Sequence, residues 1–113
     1  IFTGTRPDMS IVREEIFGPV LCVQRFGDGD LASVARAANE TIYGLSGSVW
    51  TRDVSVAHRM VRLIDAGQVS VNCHAAVDPS IPFGGNRQSG WGREMGEEAL
   101  DLYLKSKAVT VAL

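Results

Sequence analysis

The 113-residue chain is notable first for what it lacks. No apolar run approaches the ~20 residues needed to cross a bilayer, so no membrane span is expected. There is no basic stripe or polybasic cluster. Its 11 basic residues stand against 13 acidic ones, a formal charge of -2, and that balance points to neither nucleic acid nor a membrane surface. Only 2 cysteines occur, too few for a disulfide framework. Cys22 and Cys73 both sit in strand-like apolar runs and are expected to be buried, reduced thiols, which places the chain in a cytoplasmic setting. Nothing has metal-ligand spacing. The first residue is Ile1 rather than Met, and no basic region leads into an apolar core of the kind that marks a signal peptide. The expectation is that further polypeptide precedes it.

What is present is an ordinary globular balance, 45% hydrophobic and 21% charged, in a chain long enough for one domain. Residues 20–26 are rich in β-formers and follow Gly18-Pro19, which predicts a strand. An acidic turn over 27–30 comes next, with Asp30 as a helix N-cap. Leu31, Val34, Ala35 and Ala38 recur at helical spacing, and that helix should end near Asn39. Residues 45–51 read as a second strand. Asp53 caps a second helix with Ala57, Met60, Val61 and Ile64 on its inner face and Gly67 as its C′ residue. Residues 68–73 form a third strand, followed by a long loop over 74–92. A third helix is expected over 94–105 and an alternating strand over 107–113. Strand and helix alternating in this way predicts an α/β fold with a parallel sheet and right-handed crossovers. Ligands in such folds bind beyond the carboxyl ends of the strands, which makes the long loop the first candidate.

Three groups of residues could carry chemistry. The glycine-rich stretch "PFGGNRQSGWGRE" (82–94) superficially resembles a dinucleotide fingerprint. That fingerprint should follow a strand directly and be followed by an acidic residue about twenty positions on, and neither condition holds. Tight backbone packing is the better reading, with Arg87 and Arg93 solvated or paired with acids. The paired carboxylates of "EEIFGPV", Glu14 and Glu15, are open to two readings. They are a solvated pair, since adjacent side chains diverge, or one of them accepts hydrogen bonds from two neighbouring ribose hydroxyls. In the second case Phe17, on a turn stiffened by Pro19, could lie against a planar ring. The cysteines read as structural, and His74 beside Cys73 should point away from it. His58 reads as a surface residue. These residues contain no complete catalytic set.

Several strings taken together resemble one family. "REEIFGPV", "ANETIYGLSGSVWTRD", "AGQVSVN", "PFGGNRQSGWGRE" and a final "Y…K" before the terminal strand are similar, in order and spacing, to the C-terminal part of NAD(P)-dependent aldehyde dehydrogenases. The subgroup resembles betaine-aldehyde or phenylacetaldehyde enzymes, the latter through "VNCHAAVDPSIPFGG". The resemblance implies that residues 1–105 are part of a catalytic domain and that 106–113 form an oligomerisation strand. It implies that Glu15 holds the nicotinamide ribose of NAD or NADP, that Phe17 flanks the nicotinamide, and that Val77 and Phe83 belong to the wall of the aldehyde pocket. The family's nucleophilic cysteine and general-base glutamate match nothing here, so catalytic residues are expected in the preceding part of the same protein. The implied reaction is thiolate attack on an aldehyde, hydride transfer to NAD(P), and hydrolysis of the thioester. The implied partners are a small aldehyde, the preceding polypeptide and a second subunit, in a homodimer or homotetramer. Two alternatives stay open: a stand-alone interaction module that pairs through its last strand, and a relative that reduces acyl phosphates or acyl-CoA.

Overall fold

β3 (Ser46–Val49), α3 (Val54–Leu63) and β4 (Gln68–Val71) form the best-packed part of the chain. The two strands pair in parallel, with Ser46 opposite Gln68 and Val49 opposite Val71. α2 (Leu31–Asn39) packs beside α3. This computed structural model describes residues 1–27, 30–74 and 76–113. Part of the acidic turn expected over 27–30, and Ala75 of the long loop, lie outside the described residues. Among the described residues, no helix is long and apolar enough to cross a membrane.

Both long helices begin as their sequences require. Asp30 accepts hydrogen bonds from the backbone N–H groups of Ala32 and Ser33 at 3.1 and 3.2 Å. Those bonds, that of Ser33 first, hold its carboxyl below the usual range. Asp53 does the same for α3 through Ser55 and Val56 at 2.7 and 3.1 Å. Each cap satisfies N–H groups that the first helical turn leaves without partners. The core joins the inner faces of α2 and α3 to β3: Ala35, Val49 and Met60 are buried, with Leu31, Val34, Val56, Ile64 and Val69 packed around them.

The α/β character and parallel pairing are as expected, with several differences in detail. The first predicted strand contracts to β2 (Cys22–Val23), which pairs in parallel with β1 (Phe2–Thr3). Between them lies a four-residue helix, α1 (Ser10–Arg13). β1–β2 and β3–β4 are separate two-stranded sheets among the described residues. Gly67 is not a C′ residue: α3 ends at Leu63 and Ile64 turns extended, with φ -79° and ψ 122°. The expected third helix reduces to a 3₁₀ helix, Glu97–Leu102, whose N-cap Gly96 offers no side-chain cap. Its Leu100 and Leu102 are exposed, and a helix without a buried face lacks the packing that sustains α-helices in water. Residues 107–113, expected as a strand, have no assigned secondary structure. A strand needs a partner ladder, and none is supplied within the described residues.

Much apolar surface is therefore uncovered. The radius of gyration is 18.5 Å, against about 13 Å for a compact domain of this length. Phe17, Trp91 and Tyr103 are almost wholly exposed.

Candidate functional site

The corner that carries Glu14, Glu15 and Phe17 begins where α1 stops. Glu14 is extended, with φ -105° and ψ 141°, and successive side chains on extended backbone point to opposite sides. The two residues line different clefts. Glu14 lines one of about 870 Å³ with Asp8, Arg13 and Glu40. Glu15 lines another of about 550 Å³ with Asn39, Tyr43, Asp65 and Ser89. Asn39 and Thr41 contribute to both. Beyond Glu15 the backbone doubles back tightly. Gly18 N–H donates to the Ile16 carbonyl at 2.6 Å and Val20 N–H to the Gly18 carbonyl at 2.7 Å, two successive three-residue turns centred on Phe17 and Pro19. This corner presents Phe17 with 95% of its surface exposed.

Ser89 of the glycine-rich stretch closes the far wall of the Glu15 cleft, and close approach accounts for Gly84 and Gly85. A Cβ on Gly67 would sit 1.8 Å from the Gly84 carbonyl oxygen, and one on Gly84 would sit 2.2 Å from that of Gly92. Phe83 and Glu94 exchange backbone hydrogen bonds in an antiparallel bridge, 2.7 Å each way. Arg93 holds the turn from inside, with Nη1 donating to the Gly85 carbonyl at 2.7 Å and Nη2 to Asn86 Oδ1 at 2.9 Å. Arg87 donates from Nε to Asp65 Oδ2 at 2.8 Å, and its Nη2 lies 2.6 Å from the same oxygen. Its Nη1 donates to the carbonyls of Asn39 (2.8 Å) and Thr41. The hydrogen bond from Arg87, with a second from Asn86, holds the Asp65 carboxyl below the usual carboxylate range. Ser89 Oγ accepts from Gly44 N–H at 3.0 Å. Both arginines are thus structural ties, Arg87 through the acid pairing expected of it.

At the carboxyl end of β4 the chain peels away from the sheet. Asn72 has a φ of 54°, and its side chain replaces a ladder residue by accepting from Thr51 N–H and donating to the Thr51 carbonyl, each at 2.9 Å. Cys73 therefore lies beyond the strand and is exposed, contrary to the expected burial. Cys22 is half-buried, with Sγ 3.4 Å from the Ile11 carbonyl. His74 turns to Ser48, its Nδ1 lying 3.0 Å from Ser48 Oγ. His58 is exposed, as a surface residue should be. The loop beyond is pinned by Gln68 Nε2 donating to the Ala76 carbonyl at 3.0 Å. The Asp78 carboxyl is held low by the Ser80 backbone N–H and then the Ser80 hydroxyl. Val77 is exposed and Phe83 half-buried.

Of the four residues singled out from the sequence, Glu15 lines the 550 Å³ cleft, whereas Phe17, Val77 and Phe83 do not. Sequence reasoning missed Asn39, Asp65 and Ser89 as parts of the cleft wall. Asn39 read as a helix end, and Asp65 and Ser89 carried no signal of their own. The available signal was a cluster of polar side chains at the ends of two apolar-faced helices.

Comparison with known proteins identifies the family and the fold. A model of the aldehyde dehydrogenase family matches residues 1–109. The chain is 49% identical over 113 residues to an aldehyde dehydrogenase of Agaricus bisporus, covering all of this chain and 22% of that one. It is 46% identical over 111 residues to the cytosolic 10-formyltetrahydrofolate dehydrogenase of Xenopus tropicalis, covering 98% of this chain and 12% of that one. The betaine aldehyde dehydrogenase of Staphylococcus aureus, solved in complex with NAD+, superposes with a TM-score of 0.87 at 40% identity, over 93% of this chain and 20% of that one. The 113 residues thus span about a fifth or less of the relatives they match. On a match running from Ile1 to Val109, the chain belongs to the aldehyde dehydrogenase family.

Proposed function

We propose that the full-length protein carrying these residues oxidises an aldehyde to a carboxylic acid with NAD or NADP, and that this segment positions the cofactor and part of the substrate wall. The observation that carries the reading is the Glu15 carboxylate. Glu15 lines a cleft of about 550 Å³, and none of the three ion pairs among the described residues engages its carboxylate. Such a carboxylate fits a ribose diol, whose adjacent hydroxyls both donate and whose bonds to a charged acceptor are the stronger kind. Phe17 has a free ring face on a stiff corner and fits a planar heterocycle. The cofactor, when bound, supplies the hydride acceptor. Glu15 and Phe17 supply orientation, which matters because hydride transfer depends on close alignment.

Val77 and Phe83 are assigned to the aldehyde-facing wall on the matching string "VNCHAAVDPSIPFGG" (71–85) alone, and the aryl-acetaldehyde preference rests on the same stretch. Residues 1–105 belong to the catalytic domain in this reading. Residues 106–113, with exposed Val109, Val111 and Leu113, pair with a second subunit and so cover an edge that otherwise invites uncontrolled pairing. Nucleophile and general base lie elsewhere in the protein, so the 113 residues alone are inert. In the full-length protein Glu15→Gln should slow single-turnover hydride transfer by roughly tenfold or more, the effect of weakening a charged hydrogen bond. An unchanged single-turnover rate would remove the ribose role.

A further inference from the structure

We infer that Arg87 is a positioning residue for the cleft that Glu15 lines: it gathers the cleft wall and neutralises the second carboxylate there, Asp65, leaving Glu15 as the charge that meets the ligand. The inference rests on the ribose reading of Glu15 and extends it to a residue that does not itself line the cleft.

The first support is geometric. Arg87 ties together three segments that are distant in sequence. Its guanidinium reaches Asp65, just past the end of α3, and the carbonyls of Asn39 and Thr41 at the end of α2. Asn39 ties the same two helix ends to each other. Its Nδ2 donates to the Leu63 carbonyl at 2.8 Å and its Oδ1 accepts from Asp65 N–H at 2.9 Å. Asn39, Thr41, Asp65 and Ser89 all line the cleft with Glu15. One cation therefore sits beside the ends of two helices and holds three of these wall residues, Asn39, Thr41 and Asp65, at once.

The second support is energetic. Arg87 has a φ of 53°, a left-handed conformation unfavourable for a residue with a Cβ. That strain is offset by the bonds the guanidinium makes to Asp65 and to the Asn39 and Thr41 carbonyls, so the left-handed backbone is kept where those bonds fix the cleft wall, and truncating Arg87 should lower stability as well as affinity.

The third support is electrostatic. Without Arg87, Asp65 would place a second uncompensated carboxylate in the cleft of Glu15. A dinucleotide carries phosphates, and a like charge nearby opposes it.

The test uses the full-length protein, with NAD+ and NADP+ titrated in parallel by calorimetry and the thermal midpoint followed for each variant. Arg87→Met should raise the dissociation constant of the preferred nucleotide about tenfold or more, and Arg87→Lys, which keeps charge but loses the planar fork, by a smaller factor. Adding Asp65→Asn to Arg87→Met should recover most of the lost affinity while leaving the midpoint low, which a merely structural role does not predict. In a Glu15→Gln background Arg87→Met should have less than about a twofold effect, because coupled residues are not additive. If Arg87→Met does not fold, Arg87→Lys and Asp65→Asn/Arg87→Lys carry the same comparison. Equal losses in both backgrounds, or no recovery on removing Asp65, overturn the inference and leave the ribose reading standing. Nucleotide affinity and single-turnover rate unchanged by Glu15→Gln overturn both.

Discussion

β3 and β4 pair over four residues with α3 connecting them, whereas β1 and β2 pair over two and are joined only by the single turn of α1. Both pairs are parallel. The first has Val49 and Met60 buried beside it. The second has none of the buried hydrophobic residues, and Phe2 and Val23 stay a little under half exposed. Parallel pairing by itself thus confers little, and what separates the two regions is apolar cover on the sheet face. The residues assigned to cofactor contact, Glu15 and Phe17, belong to the poorly covered region, while the wall facing Glu15 belongs to the well-packed one. The cleft joins a firm side to a loosely supported corner.

Substitutions in the full-length protein test that contrast. Gly67→Ala should have the largest effect. Its Cβ would meet the Gly84 carbonyl oxygen at 1.8 Å, backbone against backbone, so the glycine-rich stretch must move off β4. A loss of about 3 kcal/mol or more is expected in denaturant unfolding; a loss under 1 kcal/mol would mean that the two segments are not tightly docked. Met60→Ala should cost about 2–3 kcal/mol, the lower part of the range for a buried large side chain, since Met60 is 6% exposed. Were it neutral, the helix–sheet core would not be what distinguishes the two regions. Asp53→Ala removes the cap of α3 and should cost about 1 kcal/mol, with Asp53→Asn nearly restoring it.

The smallest effect concerns pH. The Asp65 carboxyl is depressed below its ordinary value of 3.8 by Arg87 and Asn86. Its contribution is fully present above that ordinary value and is lost as pH falls through the lowered one. Acid titration of stability should therefore be shallower in Asp65→Asn than in the parent over that interval. Identical acid profiles would mean that the pair is not maintained in solution.

Much of the well-packed region was readable in the sequence. Asp30 and Asp53 stand immediately before apolar residues at helical spacing, and each cap is completed within three residues, so chain order alone brings donor and acceptor together. The helix expected over 94–105 shortens to the 3₁₀ helix Glu97–Leu102 because nothing among the described residues covers Leu100 and Leu102. Cys73 is exposed rather than buried because β4 ends at Val71, two residues before the end of the expected strand, and the turn at Asn72 takes the chain off the sheet.

The cleft was legible only in part. Glu15 stood out through its neighbours in "EEIFGPV", and the divergence of Glu14 from Glu15 follows from extended backbone. That Arg87 binds Asp65, 22 positions away, and that Gly67 lies against Gly84 were decided by the return of the glycine-rich stretch across the amino ends of β3 and β4. Periodicity and caps act over one helical turn and are written in adjacent residues. Contacts between segments depend on how separately formed pieces settle against one another, and that is set by steric fit and charge in three dimensions rather than by spacing along the chain.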